Sequence, residues 1–157
     1  RMDKDVSTKT AANKDYSKTG FDKGHLAPAA DMLWSEEVVY EANYLWNVSP
    51  QVPNLNRGIW LQLESKIRAF SFFQDSVYIL VGPVFSDNME TIGDNEVCIP
   101  PHYFKIISYK RCDSTWDITC FIMPNKNFTE EEKVPLNDYM VSLDKVKEVT
   151  GLNIKIK

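Results

Sequence analysis

Three segments rich in β-branched and aromatic residues, Ser76–Gly82, His102–Tyr109 and Trp116–Met123, are each bounded by Pro, Gly or Asp. Residues of this kind fit a pleated surface and their boundaries favour turns, so the three segments predict strands of an antiparallel sheet. Helices are expected to flank it. Ile59, Leu63, Ile67 and Phe70 recur at the spacing of a buried helix face, with Asn54 or Asn56 as the cap. Near the end, Ser142 caps a helix carrying Leu143, Val146 and Val149, and Gly151 terminates it before a last short strand. Ser35, followed by Glu36 and Glu37, starts another helix whose apolar stripe of Val38, Val39 and Ala42 runs to about Tyr44. The expected fold class is α+β, a central antiparallel sheet flanked by helices.

Upstream, Phe21–Ala27 reads as a short strand closed by Pro28, and Tyr44–Val48 as a brief strand ending at Ser49-Pro50. Residues 1–20 are polar and aperiodic, which predicts an arm or irregular loop. The 157 residues suit one domain, and a start at Arg1 rather than Met implies that this domain lacks upstream sequence. No apolar run approaches the ~20 residues that span a bilayer; the longest, Val77–Val81, reads as a buried strand. A net charge of -4 argues against the broad basic surface of a protein that coats nucleic acid, and leaves room for a local basic cleft. Cys98, Cys112 and Cys120 fit one disulfide plus a free thiol, or three buried thiols, and contain no CxxC pair that would suggest zinc.

Chemistry near neutral pH has two histidines to draw on, His25 and His102. His25 sits in Asp22-Lys23-Gly24-His25-Leu26-Ala27-Pro28, where a glycine permits close backbone approach and charges flank an imidazole at a strand end. The plainer alternative is a histidine held by hydrogen bonds in a turn. Asn56, Trp60, Glu64 and Arg68 follow one another at intervals of four and form a polar stripe on the helix. An amide oxygen and a carboxylate are hard ligands suited to Mg²⁺. The same spacing also describes a solvated face with a Glu64–Arg68 ion pair. His102 reads as a framework histidine, and Trp34, Trp46 and Trp60 as core or interface packing, with stacking on bases as their other use.

The segments Phe21 to Met32 and Asn47 to Glu64 closely resemble the DNA/RNA non-specific endonucleases, a family of endonuclease G-like and sugar-non-specific bacterial enzymes. Their signature is Asp-Arg-Gly-His and their site a ββα-metal (His-Me finger) motif. The match continues in order through Val81-Gly82-Pro83-Val84, Ile99 to Lys105, Phe121 to Asn125 and Thr150-Gly151-Leu152. One position departs: Lys23 stands where the signature has arginine, keeping the charge but losing the planar fork that grips two phosphate oxygens.

The resemblance implies a metal-dependent endonuclease that cleaves DNA and RNA without sequence specificity and leaves 5′-phosphate ends. It implies His25 as general base, Asn56 as direct metal ligand, and Glu64 as a ligand through water. It makes Asn47 a helper near the scissile phosphate and Arg68 a phosphate contact; Lys23 and Arg57 join Arg68 as substrate-binding cations. Mg²⁺ is the implied cofactor, with Mn²⁺ able to substitute. DNA and RNA are the implied partners, a homodimer the implied assembly, and a secreted or periplasmic bacterial protein the implied location. Two rival readings remain: a nucleic-acid-binding module weakened in catalysis, and a phosphodiesterase acting on small nucleotides.

Overall fold

A computed structural model describes residues 10–111, 113–128 and 135–155. In chain order the strands are β1 (Asp22–His25), β2 (Val48–Gln51), β3 (Val77–Val84), β4 (Thr91–Ile92), β5 (Val97–Cys98), β6 (His102–Lys110), β7 (Trp116–Pro124) and β8 (Met140–Val141). The α-helices are α1 (Glu36–Ala42), α2 (Leu61–Ser71) and α3 (Leu143–Thr150). The three strands expected from composition form three of the four strands of an antiparallel sheet in the order β3-β6-β7-β8, with β3 at one edge. Its register runs from Val77 opposite Tyr109 to Val84 opposite His102.

Strand β6 is buried from Tyr103 to Ser108, so both its faces are covered, with Lys105 and Ser108 as the polar residues of an otherwise apolar stretch. Tyr103 and Ile107 join Trp60, Leu63 and Ile67 in a core on the α2 side. Phe104 and Ile106 join Val146 and Ile154 on the α3 side. The sheet is therefore sandwiched between helices, in agreement with the α+β expectation.

Several local expectations are corrected. The strand expected at Tyr44–Val48 begins only at Val48, because Leu45–Asn47 closes a 3₁₀ turn first. Its partner is β1, with Asp22 opposite Gln51 and His25 opposite Val48. Helix α1 stops at Ala42, not Tyr44. Residues 151–155 form no strand after Gly151, although Ser142 does cap α3 by accepting from the Lys145 amide at 3.1 Å. The described part of the polar N-terminal segment is no loose arm: Asn13–Tyr16 is a 3₁₀ turn with Asp15 buried, accepting from the Ala12 amide and from Asn95 Nδ2. Residues 1–9 lie outside the described residues. Cys98 is exposed and Cys120 buried, both as free thiols, so neither three buried thiols nor a disulfide within the chain is found; Cys112 lies outside the described residues.

Among the described residues no helix is long and apolar enough to cross a membrane.

Candidate active site

Strand β1 carries the signature and its alternation sorts the side chains. Lys23 and His25 line one cavity with Asn13 and Asn43, while Asp22 reaches the start of the helical segment. Gly24 packs over the side chain of Gln51, which is fully buried; a Cβ at position 24 would collide with it. The glycine is thus required by close packing of β1 on β2.

His25 Nε2 lies 3.1 Å from Asn43 Oδ1. The amide orientation is fixed by its other end, because Asn43 Nδ2 donates to the Val39 carbonyl at 2.8 Å. Oδ1 therefore accepts, a neutral imidazole carries its hydrogen on Nε2, and Nδ1 keeps a lone pair. Asn43 was not identified from sequence. Its place just after α1, where an amide can bond the preceding turn, was the only local signal.

The chain enters the second helix through a wide π-type turn at Leu55–Trp60, broken at Gly58, whose backbone (φ -106°, ψ -111°) leaves the helical range. Neither asparagine caps it through its side chain. Instead Asn56 Nδ2 donates to Asp22 Oδ2 at 2.9 Å. Arg57 grips the same carboxylate with two bonds, from Nε at 2.8 Å and Nη2 at 2.5 Å. The Arg57 fork is the chief reason that the Asp22 carboxyl is held below the usual carboxylate range. With Nδ2 committed, Asn56 presents Oδ1 as its remaining hard donor.

The stripe along this helix is not a solvated face. Trp60 is 1% and Glu64 8% exposed, and the Glu64–Arg68 ion pair that spacing allowed does not form. Glu64 Oε1 takes Lys105 Nζ at 3.2 Å, and Arg68 Nε pairs with Asp31 Oδ1 at 2.5 Å. Burial pushes the Glu64 carboxyl up and the Lys105 ammonium down, each opposed by the charge of the other. Lys105 was missed because a lysine in an otherwise apolar strand reads as solvent-facing; its alternation with Tyr103 and Ile107 was the available clue.

Asn47 is fully occupied by backbone. Its Oδ1 accepts from the Ala27 amide at 2.9 Å, and its Nδ2 donates to the carbonyls of Ala27 and Ala42, both at 2.8 Å. The residue ties the segment after His25 to the end of α1. His102 is exposed at the start of β6, so the framework reading does not describe it. Trp60 is core, but Trp34 and Trp46 are exposed, so of their expected packing roles the core one does not hold for them.

The donor set suits Mg²⁺, which keeps several waters and needs few protein ligands: one neutral amide oxygen and one carboxylate, both oxygen donors. Among the described residues no group of three or more His, Cys, Asp or Glu is arranged to hold a metal ion.

Residues 1–156 match the family model for DNA/RNA non-specific endonuclease. The chain is 34% identical over 152 residues to human mitochondrial Endonuclease G, covering 90% of this chain and 50% of that protein. It is 35% identical to Nuclease C1 of Cunninghamella echinulata var. echinulata, covering 88% and 58%. A solved structure of the EndoG/EndoGI complex superposes with a TM-score of 0.84 at 29% identity, covering 92% of this chain and 62% of that one. The chain spans about half the length of the human relative. Relatives from human, Caenorhabditis elegans and Saccharomyces cerevisiae are mitochondrial nucleases by name, which overturns the expected secreted or periplasmic bacterial location.

Proposed function

This chain belongs to the DNA/RNA non-specific endonuclease family, and from that membership we propose that it hydrolyses internal phosphodiester bonds of DNA and RNA with a bound divalent metal. The observation that carries the reading is the hydrogen bond from His25 Nε2 to Asn43 Oδ1, which leaves His25 Nδ1 as a poised acceptor on the signature strand. Nδ1 takes a proton from a water, the water oxygen attacks phosphorus, and the bond from phosphorus to O3′ breaks; O3′ takes a proton from a second water, leaving a 5′-phosphate and a 3′-hydroxyl, and His25 returns its proton to solvent.

Asn56 Oδ1 would hold Mg²⁺ or Mn²⁺ directly and Glu64 through water, with Asp22 fixing the Asn56 amide. When bound, the metal supplies positive charge to the phosphoryl oxygens and to the departing O3′. A neutral amide ligand leaves that charge nearly intact. Arg68 contacts the phosphate by exchanging Asp31 for it, and Lys23 and the exposed Arg57 guanidinium add backbone attraction. Asn47 acts through the backbone it clamps. Phosphate contacts carry no sequence information, so tolerance of both DNA and RNA follows.

Plasmid nicking with Mg²⁺, and with a chelator as control, tests this. Nicking that requires metal and disappears in His25→Ala supports it. Intact supercoiled DNA with retained binding would mean a binding module, and cleavage of model diesters alone would mean a small-nucleotide phosphodiesterase. Calorimetry then separates the ligands: Asn56→Ala should abolish most Mg²⁺ affinity, and Glu64→Ala should weaken it about 10–100-fold, as an outer-shell partner does.

A further inference from the structure

Trp34 and Phe72 are 74% and 82% exposed, although they belong to different parts of the chain. Trp34 lies in the loop that joins β1 to α1, and Phe72 follows the last turn of α2. Both line one cavity of about 460 Å³, and Arg68, one helical turn before Phe72, lines it too. That volume is typical of a small-molecule site, roughly 300–1,000 Å³. Large rings left in water at a cavity that shares Arg68 with the candidate catalytic residues mark a binding surface.

The charges around the cavity select the occupant. Asp31 and Asp75 are in its lining, so a phosphate is repelled from the interior, whereas an uncharged flat ring is not. Arg68, the cation among the described residues of that lining, is offered to a phosphate by exchange for Asp31. Gln74 and Ser76 present an amide and a hydroxyl, which can donate to or accept from any base edge. In a duplex both faces of each base are covered by its neighbours, so aromatic walls reach only an unpaired base.

We propose that the cavity between Trp34 and Phe72 is a nucleobase subsite for single-stranded DNA or RNA, seating one base beside the phosphate that Arg68 takes. The inference rests on the endonuclease reading above and extends it to a preference for single strands. Every base has a π-face, so the subsite is tolerant of sequence.

The test compares wild type, Trp34→Ala/Phe72→Ala and Trp34→Phe on one oligonucleotide sequence, single-stranded and annealed to its complement. Cleavage, binding by fluorescence anisotropy, tryptophan emission and sedimentation are recorded. Stacking on one base is lost in the double variant, so the single-strand to duplex ratio of kcat/KM should fall about 5-fold or more, and Trp34→Phe should restore most of it. Emission of wild type should be quenched by the single strand more than that of Trp34→Phe. An unchanged ratio in the double variant, with cleavage intact, overturns the subsite and leaves the endonuclease reading standing. Trp34-dependent binding of single strands without any cleavage leaves the subsite standing and removes the endonuclease reading. Equal losses on both substrates together with conversion of a dimer to a monomer would assign the rings to an interface between copies and overturn the subsite. Absence of all nucleic-acid binding overturns both.

Discussion

Lys105 Nζ stands 3.2 Å from Glu64 Oε1 and 4.3 Å over the ring of Trp60, an ion pair enclosed between the sheet and the second helix. Two buried charges satisfy each other only together, since either one alone carries the cost of lost hydration without its compensating attraction. Lys105→Met should therefore destabilise the fold by about 3–5 kcal/mol in urea unfolding, the usual cost of breaking a buried pair. Adding Glu64→Gln should recover much of that loss, because no uncompensated charge remains. Equal stabilities for wild type and Lys105→Met would place Glu64 in water and not in the core.

Asp22 links stability to the site. Arg57, then Asn56, favour its ionised form and hold its carboxyl below the usual range, against about 3.9 in an unfolded chain. A group whose folded value is depressed contributes stability that is fully present above the unfolded value and lost as pH falls through the folded one. Melting temperature should drop below about pH 4 in wild type, and Asp22→Asn should flatten that acid limb. The same variant frees the Asn56 amide to turn, so Mg²⁺ affinity measured by calorimetry should fall about 10–100-fold.

Asn43 is a positioning residue, and its removal should show as such. In Asn43→Ala the imidazole loses the acceptor for Nε2, so kcat should fall while KM stays nearly constant. The loss should be smaller than that of His25→Ala, since the base itself contributes about 10²–10⁴-fold. A raised KM with unchanged kcat would instead make Asn43 a substrate contact.

The sheet and α3 were legible because runs of β-branched and aromatic residues bounded by turn formers, a serine cap and a terminal glycine are local signals, and Ser142 and Gly151 perform as their chemistry suggests. The β1–β2 ribbon was only half legible. Its strands are four residues each and carry Asp, Lys, His, Ser and Gln, so no hydrophobic alternation marks where pairing begins. The partners of Glu64 and Arg68 were illegible for another reason: helical spacing can pair them with each other, and only tertiary packing brings Lys105 and Asp31 closer. Asn43, Asp31 and Lys105 act across 18, 37 and 41 residues of sequence, distances at which no local pattern speaks.

Lys23 is where the signature departs from arginine, so its behaviour has to be argued from geometry. Its amine donates to Asn13 Oδ1 at 3.1 Å and the side chain shares the His25 cavity, in reach of a phosphate that approaches the imidazole. A lysine is a flexible point charge; an arginine can hold two phosphate oxygens in one plane. Lys23→Arg should preserve or raise kcat/KM, and Lys23→Ala should lower it. Each phosphate contact contributes about one unit to the slope of log affinity against log salt, so binding of Lys23→Ala, measured from low to physiological salt, should lose about that much slope. If Lys23→Ala keeps both the wild-type rate and the wild-type slope, the amine serves the bond to Asn13 alone, and His25 is the only member of the signature that meets the substrate.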